Sequence, residues 1–142
     1  MGAGTATDPL RRVAEETGRL LAQAGAIVVT GGRTGVMEAA SKGAREAGGL
    51  TLGILPGSDR SEANPYVQVA VPTGMGEARN ALVVRAADGV IAIGGEWGTL
   101  SEIALARKGG KPVVGIGSWD LEGVEAVEGP AEAVAAVLHR LD

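Results

Sequence analysis

Four consecutive apolar residues, Val90-Ile91-Ala92-Ile93, run directly into the glycine turn Gly94-Gly95-Glu96-Trp97-Gly98. Thr99 then opens a helix-like segment with Glu102 one turn in. A short apolar run without polar alternation fits a strand buried on both faces, and such strands belong to parallel sheets covered by helices. A turn free of Cβ atoms and the unpaired N–H groups of a helix start are the parts that hold a phosphate. A carboxylate inside the same turn, Glu96, works against an anion there.

The rest of the chain repeats this alternation of apolar runs and helix-like segments, which predicts an α/β domain with a parallel sheet. Asp8-Pro9 reads as a helix start, with Asp8 as N-cap, and Gly25 as its stop. A strand follows over 26–30, a turn over 31–35, a helix over 36–47 and a strand over 50–55. Residues 58–65 read as a surface loop and 67–71 as a short strand. Residues 76–87 read as a helix and 90–93 as a strand. A helix over 99–108, a strand over 112–116 and a last helix from Pro130 to Leu141 complete the pattern. Residues 1–142 contain no repeat and no linker, so one domain is expected. Met1-Gly-Ala-Gly-Thr-Ala has the character of a turn that follows a first strand. The sequence leaves open whether a strand lies further upstream, in which case the sheet centre is weakened here and neighbouring chains compensate, or the fold does without one.

Composition narrows the function. Glycine is 24 of 142 residues, roughly twice the usual ~7%, and it falls mostly between the apolar runs. With no Phe, one Tyr and two Trp, the chain lacks the aromatics that stack on single-stranded nucleic acid. A net charge of −4 gives no general drive toward nucleic acid or an anionic membrane. The absence of Cys and the single His139 argue against a disulfide, thiol chemistry or a transition-metal site. No apolar run reaches the ~20 residues of a membrane span and no signal peptide is evident, so a cytoplasmic protein is expected.

Three glycine turns stand out: Gly2-Ala3-Gly4, Gly31-Gly32-Arg33-Thr34-Gly35 and Gly94 to Gly98. In a parallel sheet such turns gather at the C-terminal edge of the strands, where ligands bind at a switch in strand order. The plainer reading is three ordinary tight turns. None matches the nucleoside-triphosphatase loop GxxxxGK[ST]. Arg79, at the start of a helix, has a guanidinium that can fork onto a carboxylate or phosphate, although most lone arginines are solvated. Glu102 alone is most simply a first-turn acid complementing the helix dipole. Trp97 is either a partly exposed lid on a ligand or an interface anchor.

Together these segments resemble the LOG (Lonely Guy) proteins, long misnamed lysine decarboxylases. Gly31-Gly32-Arg33-Thr34-Gly35-Val36-Met37 resembles their GGxxGLM segment, Arg79 stands at their RK pair, and Ile93 to Glu102 resembles PGGxGTxxE. Order and spacing agree over nearly the whole chain. The resemblance is closest to an uncharacterised bacterial branch with an RN pair and an IGGGxGTLSE segment. The molybdenum cofactor carrier protein belongs to the same wider group. It implies a Rossmann-like, three-layer α/β/α fold with a central, mainly parallel sheet. It also implies a homodimer or higher homo-oligomer, and a phosphorylated small molecule, a nucleotide, as ligand, with no further cofactor.

By position it assigns ligand binding to Gly4, Gly31, Gly32, Gly35, Met37, Gly94, Gly95, Gly98 and Thr99, and catalysis to Arg79 and Glu102. Active members split a nucleoside 5′-monophosphate into base and ribose 5-phosphate. A carboxylate can stabilise the oxocarbenium character of that cleavage or orient water. Three departures stand against direct transfer: Gly94 for Pro, Glu96 for the second Gly, and Asn80 for Lys.

Two functions follow: a nucleotide phosphoribohydrolase using Arg79 and Glu102, or a non-catalytic carrier or sensor of a phosphorylated ligand such as a nucleotide or the molybdenum cofactor. Lysine decarboxylation is rejected. It needs pyridoxal phosphate on a lysine, and neither Lys42, Lys108 nor Lys111 lies in a turn with a phosphate cradle.

Overall fold

The computed structural model describes residues 1–142. Five helices, α1 (Asp8–Gln23), α2 (Val36–Glu46), α3 (Arg79–Ala86), α4 (Trp97–Lys108) and α5 (Pro130–Leu141), alternate with six strands. The strands are β1 (Val28–Thr30), β2 (Thr51–Leu55), β3 (Val69–Pro72), β4 (Val90–Ile93), β5 (Val113–Ile116) and β6 (Val124–Val127). Every pairing is parallel, and the strands form two sets, β1-β2-β3 and β4-β5-β6.

The layers follow from strand geometry, because successive side chains leave opposite faces. Ile91 and Ile93 of β4, with Val114 and Ile116 of β5, pack against α1, α2 and α5. Val90, Ala92 and Val113 point the other way, against Val84 of α3 and Ile103 and Ala106 of α4. Both faces of β4 and β5 are fully buried, which is why their sequences are apolar without alternation. The result is the expected three-layer, Rossmann-like α/β/α arrangement.

The segment at Met1 and Gly2 lies against the end of β4. Met1 and Gly2 pair with β4: the Ile93 N–H donates to the Met1 carbonyl at 2.8 Å, and Gly2 bridges to Ile93 in parallel. Within residues 1–142 no strand pairing joins β1 to β4. An apolar cavity of about 480 Å³ opens there, between residues such as Val29 of β1 and Ile91 of β4, with Met1 at its side. The central sheet is therefore two parallel halves rather than one continuous sheet.

Several element boundaries differ from expectation. The N-cap of α1 is Thr7, whose hydroxyl accepts from Leu10 N–H, and Asp8 is the first helical residue. β3 starts at Val69 because the chain just before it is tied to Thr51 by side chains: the Thr51 hydroxyl donates to the Tyr66 carbonyl, and the Thr51 N–H donates to the Gln68 side chain. The helix expected over 76–87 is a 3-10 turn, Gly76–Ala78, followed by α3. β6 lies in the acidic stretch read as irregular, since Val124-Glu125-Ala126-Val127 is a half-exposed edge strand whose pattern is diluted by charge.

Helices α1 and α2 touch backbone to backbone. A methyl group on Gly18 would collide with the Ala40 carbonyl, and one on Gly43 with the Glu15 carbonyl. Lys42–Glu15 at 3.6 Å and Arg11–Glu38 at 3.9 Å flank the crossing. Replacing Gly18 by Ala should add up to about 1 kcal/mol of helix propensity. The collision is with backbone, which cannot rotate away, and overpacking costs about 1–3 kcal/mol. Gly18→Ala is therefore expected to lower the urea midpoint, corresponding to a net loss of about 1–2 kcal/mol.

Candidate functional site

At the C-terminal edge of the two half-sheets the ends of β1 and β4 and the segment Gly2-Ala3-Gly4 meet, which is where α/β folds bind ligands. The first two glycine turns interlock. The Val36 N–H donates to the Ala3 carbonyl at 3.0 Å, and the Thr34 hydroxyl donates to the Gly4 carbonyl at 2.7 Å. Gly35 has φ +69°, and a side chain there would strike the Ala3–Gly4 backbone, so only glycine closes this contact.

Helix α4 begins two residues earlier than the sequence indicated, at Trp97, with Glu96 as N-cap. Its first intrahelical bond runs from Leu100 N–H to the Glu96 carbonyl at 3.0 Å. The N–H groups of Trp97, Gly98 and Thr99 are left without a protein acceptor. They face an open cavity of about 760 Å³ that also reaches the first turn of α2 at Met37 and the start of α3 at Arg79 and Asn80. The free N–H groups at the start of α4 thus bring partial positive charge to this space. Two buried polar atoms on its wall, the Thr99 Oγ1 and the Arg79 Nε, have no hydrogen-bond partner in the protein. Buried polar groups are nearly always satisfied, so a ligand with acceptor oxygens fits this pair.

Of the residues expected at the site, Gly4, Met37, Arg79, Gly98, Thr99 and Glu102 line the cavity together. Gly31, Gly32, Gly35, Gly94 and Gly95 do not. Gly31 lies beneath the Arg79 guanidinium, in a place a Cβ would take. Gly32 packs on Leu55, Gly94 on Leu10 and Gly95 on Trp119, so these glycines shape the turns behind the wall.

Arg79 Nη1 donates to Asn80 Oδ1 at 3.0 Å, and Asn80 Nδ2 to the Ser101 hydroxyl at 3.2 Å. The Ser101 hydroxyl in turn donates to the Gly98 carbonyl at 2.7 Å. This chain ties α3 to the first turn of α4. Burial pulls the Arg79 pKa below its ordinary value, Glu102 opposes that shift, and Arg33 adds to it. Arginine remains charged at any physiological pH.

Glu102 is 7% exposed and accepts no hydrogen bond from the protein. Arg79 is not within ion-pair distance of it. Burial raises its pKa, against the opposing pull of the Met1 ammonium and of Arg79. That ammonium is itself buried, donates to the Ile91 carbonyl at 2.7 Å, and has its pKa lowered by desolvation. Glu96 sits exposed at the cavity rim with no ion pair.

Residues 1–139 match the SLOG cluster4 family. The chain belongs to that family. An uncharacterised protein of Archaeoglobus fulgidus is 41% identical over 135 residues, 94% of this chain and 89% of the relative. The molybdenum cofactor binding protein of Rippkaea orientalis is 39% identical and superposes with a TM-score of 0.94 over 100% of this chain and 94% of that one. The molybdenum cofactor carrier protein of Chlamydomonas reinhardtii is 37% identical, with a TM-score of 0.88 over 99% and 94% of the two chains.

In this SLOG cluster4 protein two participants lie outside the motifs. Ser101 was passed over although it completes the Asn80 link, its only signal being a hydroxyl in the first turn of α4. Trp119 stacks on Trp97 across 22 residues of sequence, with ring centroids 5.5 Å apart.

A carboxylate with a raised pKa in the folded state binds its proton more tightly there than in the unfolded chain. Its contribution therefore falls as pH rises from the unfolded value near 4.5 through the folded pKa. Glu102→Gln removes that loss. The variant is expected to melt higher than the parent at pH 7, with the difference shrinking as pH falls toward 4. Thermal melts across this range check it.

Proposed function

We propose that this protein is a carrier of a phosphorylated cofactor of the molybdenum cofactor type. The observation that carries the reading is the pair of orphaned buried atoms, Thr99 Oγ1 and Arg79 Nε, beside the free N–H groups of α4. A phosphate monoester supplies acceptors for all of them, and its charge is favoured at a helix start. Similarity over the full chain to proteins described as binding or carrying the molybdenum cofactor supports this choice of cargo. Thr99, Gly98 and Arg79 would hold the phosphate, with Gly4 and Met37 completing the wall. Glu77, Glu96 and Glu102 around the same space keep affinity moderate by repulsion, which suits a protein that must release what it holds.

Molybdenum is expected to co-purify with the protein from cells that make the cofactor, and to fall about ten-fold or more in Arg79→Ala. Elemental analysis of the purified proteins reads this out. Absence of molybdenum, combined with no rise in melting temperature under millimolar inorganic phosphate, would defeat the reading, because a ligand of the folded state must stabilise it. Glu96→Gln should tighten phosphate binding about two- to five-fold at low salt, the range of an exposed and screened charge.

A second reading is a LOG-like phosphoribohydrolase acting on nucleoside 5′-monophosphates. It is favoured by the buried Glu102, whose pKa is moved in the direction a general acid or base near neutral pH requires. Release of adenine from AMP, followed by chromatography and lost in Glu102→Gln, would establish it. Self-association belongs to the same proposal. It is supported by the exposed Val69 and Val71 on β3, and a monomer in light scattering at micromolar concentration would remove it.

A further inference from the structure

The cavity has room for far more than a phosphate: about 760 Å³ lies within the ~300–1,000 Å³ of sites for whole small molecules. One wall of it is Trp97, which is 78% exposed, the highest exposure among the large apolar side chains left uncovered. The chain has three aromatic residues in all, two of them Trp, and both tryptophans are here.

Trp97 is held rather than loose. Its ring rests on Trp119 with centroids 5.5 Å apart and an interplanar angle of 36°. Trp119 is fixed in turn by its indole N–H, which donates to the Glu96 carbonyl at 3.2 Å, and by Gly95, where a Cβ would meet the indole ring. Trp119 also packs against the core between β4, β5 and α4. An aromatic pair braced from below, with the upper ring open to solvent on the wall of a cavity, is a stacking surface already in position.

We propose that Trp97, braced by Trp119, is a stacking platform for a planar heteroaromatic ring borne by the phosphorylated ligand. The site then selects a ligand with two ends: a phosphate at the first turn of α4 and a fused nitrogen heterocycle on Trp97. This inference rests on the phosphorylated-ligand reading above and adds the second end. It also accounts for the turn carrying glycine at position 95: a larger residue would push Trp119 away and leave Trp97 unsupported.

The test is calorimetric titration of the parent protein, Trp97→Ala and Trp97→Phe with inorganic phosphate, ribose 5-phosphate, AMP and adenosine. The parent is expected to bind AMP at least about ten-fold tighter than ribose 5-phosphate, the usual scale of base–aromatic stacking. Trp97→Ala should bring the two within about two-fold while leaving the affinity for ribose 5-phosphate unchanged. Trp97→Phe should keep most of the difference. Binding of adenosine that depends on Trp97, without binding of phosphate or ribose 5-phosphate, would support the platform while removing the phosphate site. An AMP preference that survives Trp97→Ala overturns the proposal. So does failure of both AMP and adenosine to bind. A shift of Trp97→Ala from dimer to monomer with the AMP preference intact also overturns it, and makes the residue a contact between copies of the chain.

Discussion

The short segment Gly2-Ala3-Gly4 is the contact on which the site depends. On one side it pairs with the end of β4, and on the other it receives bonds from Val36 and Thr34 at the start of α2. The two half-sheets have no strand pairing to each other. This segment, with the packing of α1 against α2 and α5, holds the ends of β1 and β4 in register. Such an arrangement tolerates no Cβ at Gly2, where it would meet the Val36 side chain and the Ile93 carbonyl, or at Gly35, where it would meet the Ala3–Gly4 backbone. The apolar cavity between β1 and β4 borders this contact at Met1, Val36 and Ile93.

Electrostatics at the site is a balance of fixed and mobile charge. Helix starts contribute partial positive charge that needs no counterion and does not titrate. Arg79 adds one full charge, held over Gly31 and linked through Asn80 and Ser101 to the turn that carries the free N–H groups. Against these stand Glu102, buried in the wall, and Glu96, exposed at the rim. The two acids differ in kind. Water screens Glu96 and makes it a modest penalty on an anion. Glu102 is screened much less, and its own ionisation is what burial resists.

Much of this was legible in the chain. The apolar run at 90–93, expected to be a buried strand, is one, and the strand expected over 112–116 is observed as Val113–Ile116. Glycine turns at strand ends placed the site at one edge of the sheet, and Arg79, Gly98, Thr99 and Glu102 meet there. Less legible was which glycines would face a ligand. Gly31, Gly32, Gly94 and Gly95 share the composition of the lining residues, yet they serve Arg79, Leu55, Leu10 and Trp119. Composition reports that a backbone is bare; it does not report what approaches it. The edge strand β6 and the late start of β3 escaped notice because charge and side-chain bonds to Thr51 outweighed local pattern.

The sequence by itself determined most of the elements, the parallel sheet and the edge at which the glycine turns gather. All three depend on short-range rules: hydrophobic period, glycine at strand ends and polar residues at helix starts. Tertiary structure alone decided which glycines line the open space and which brace Arg79, Leu55, Leu10 and Trp119. It also decided the orphaned atoms at Thr99 and Arg79 and the pairing of Trp97 with Trp119. Each of these is a relation between segments far apart in the chain. Their free energy comes from burial and from polar groups left without partners, quantities that exist only once the segments are brought together.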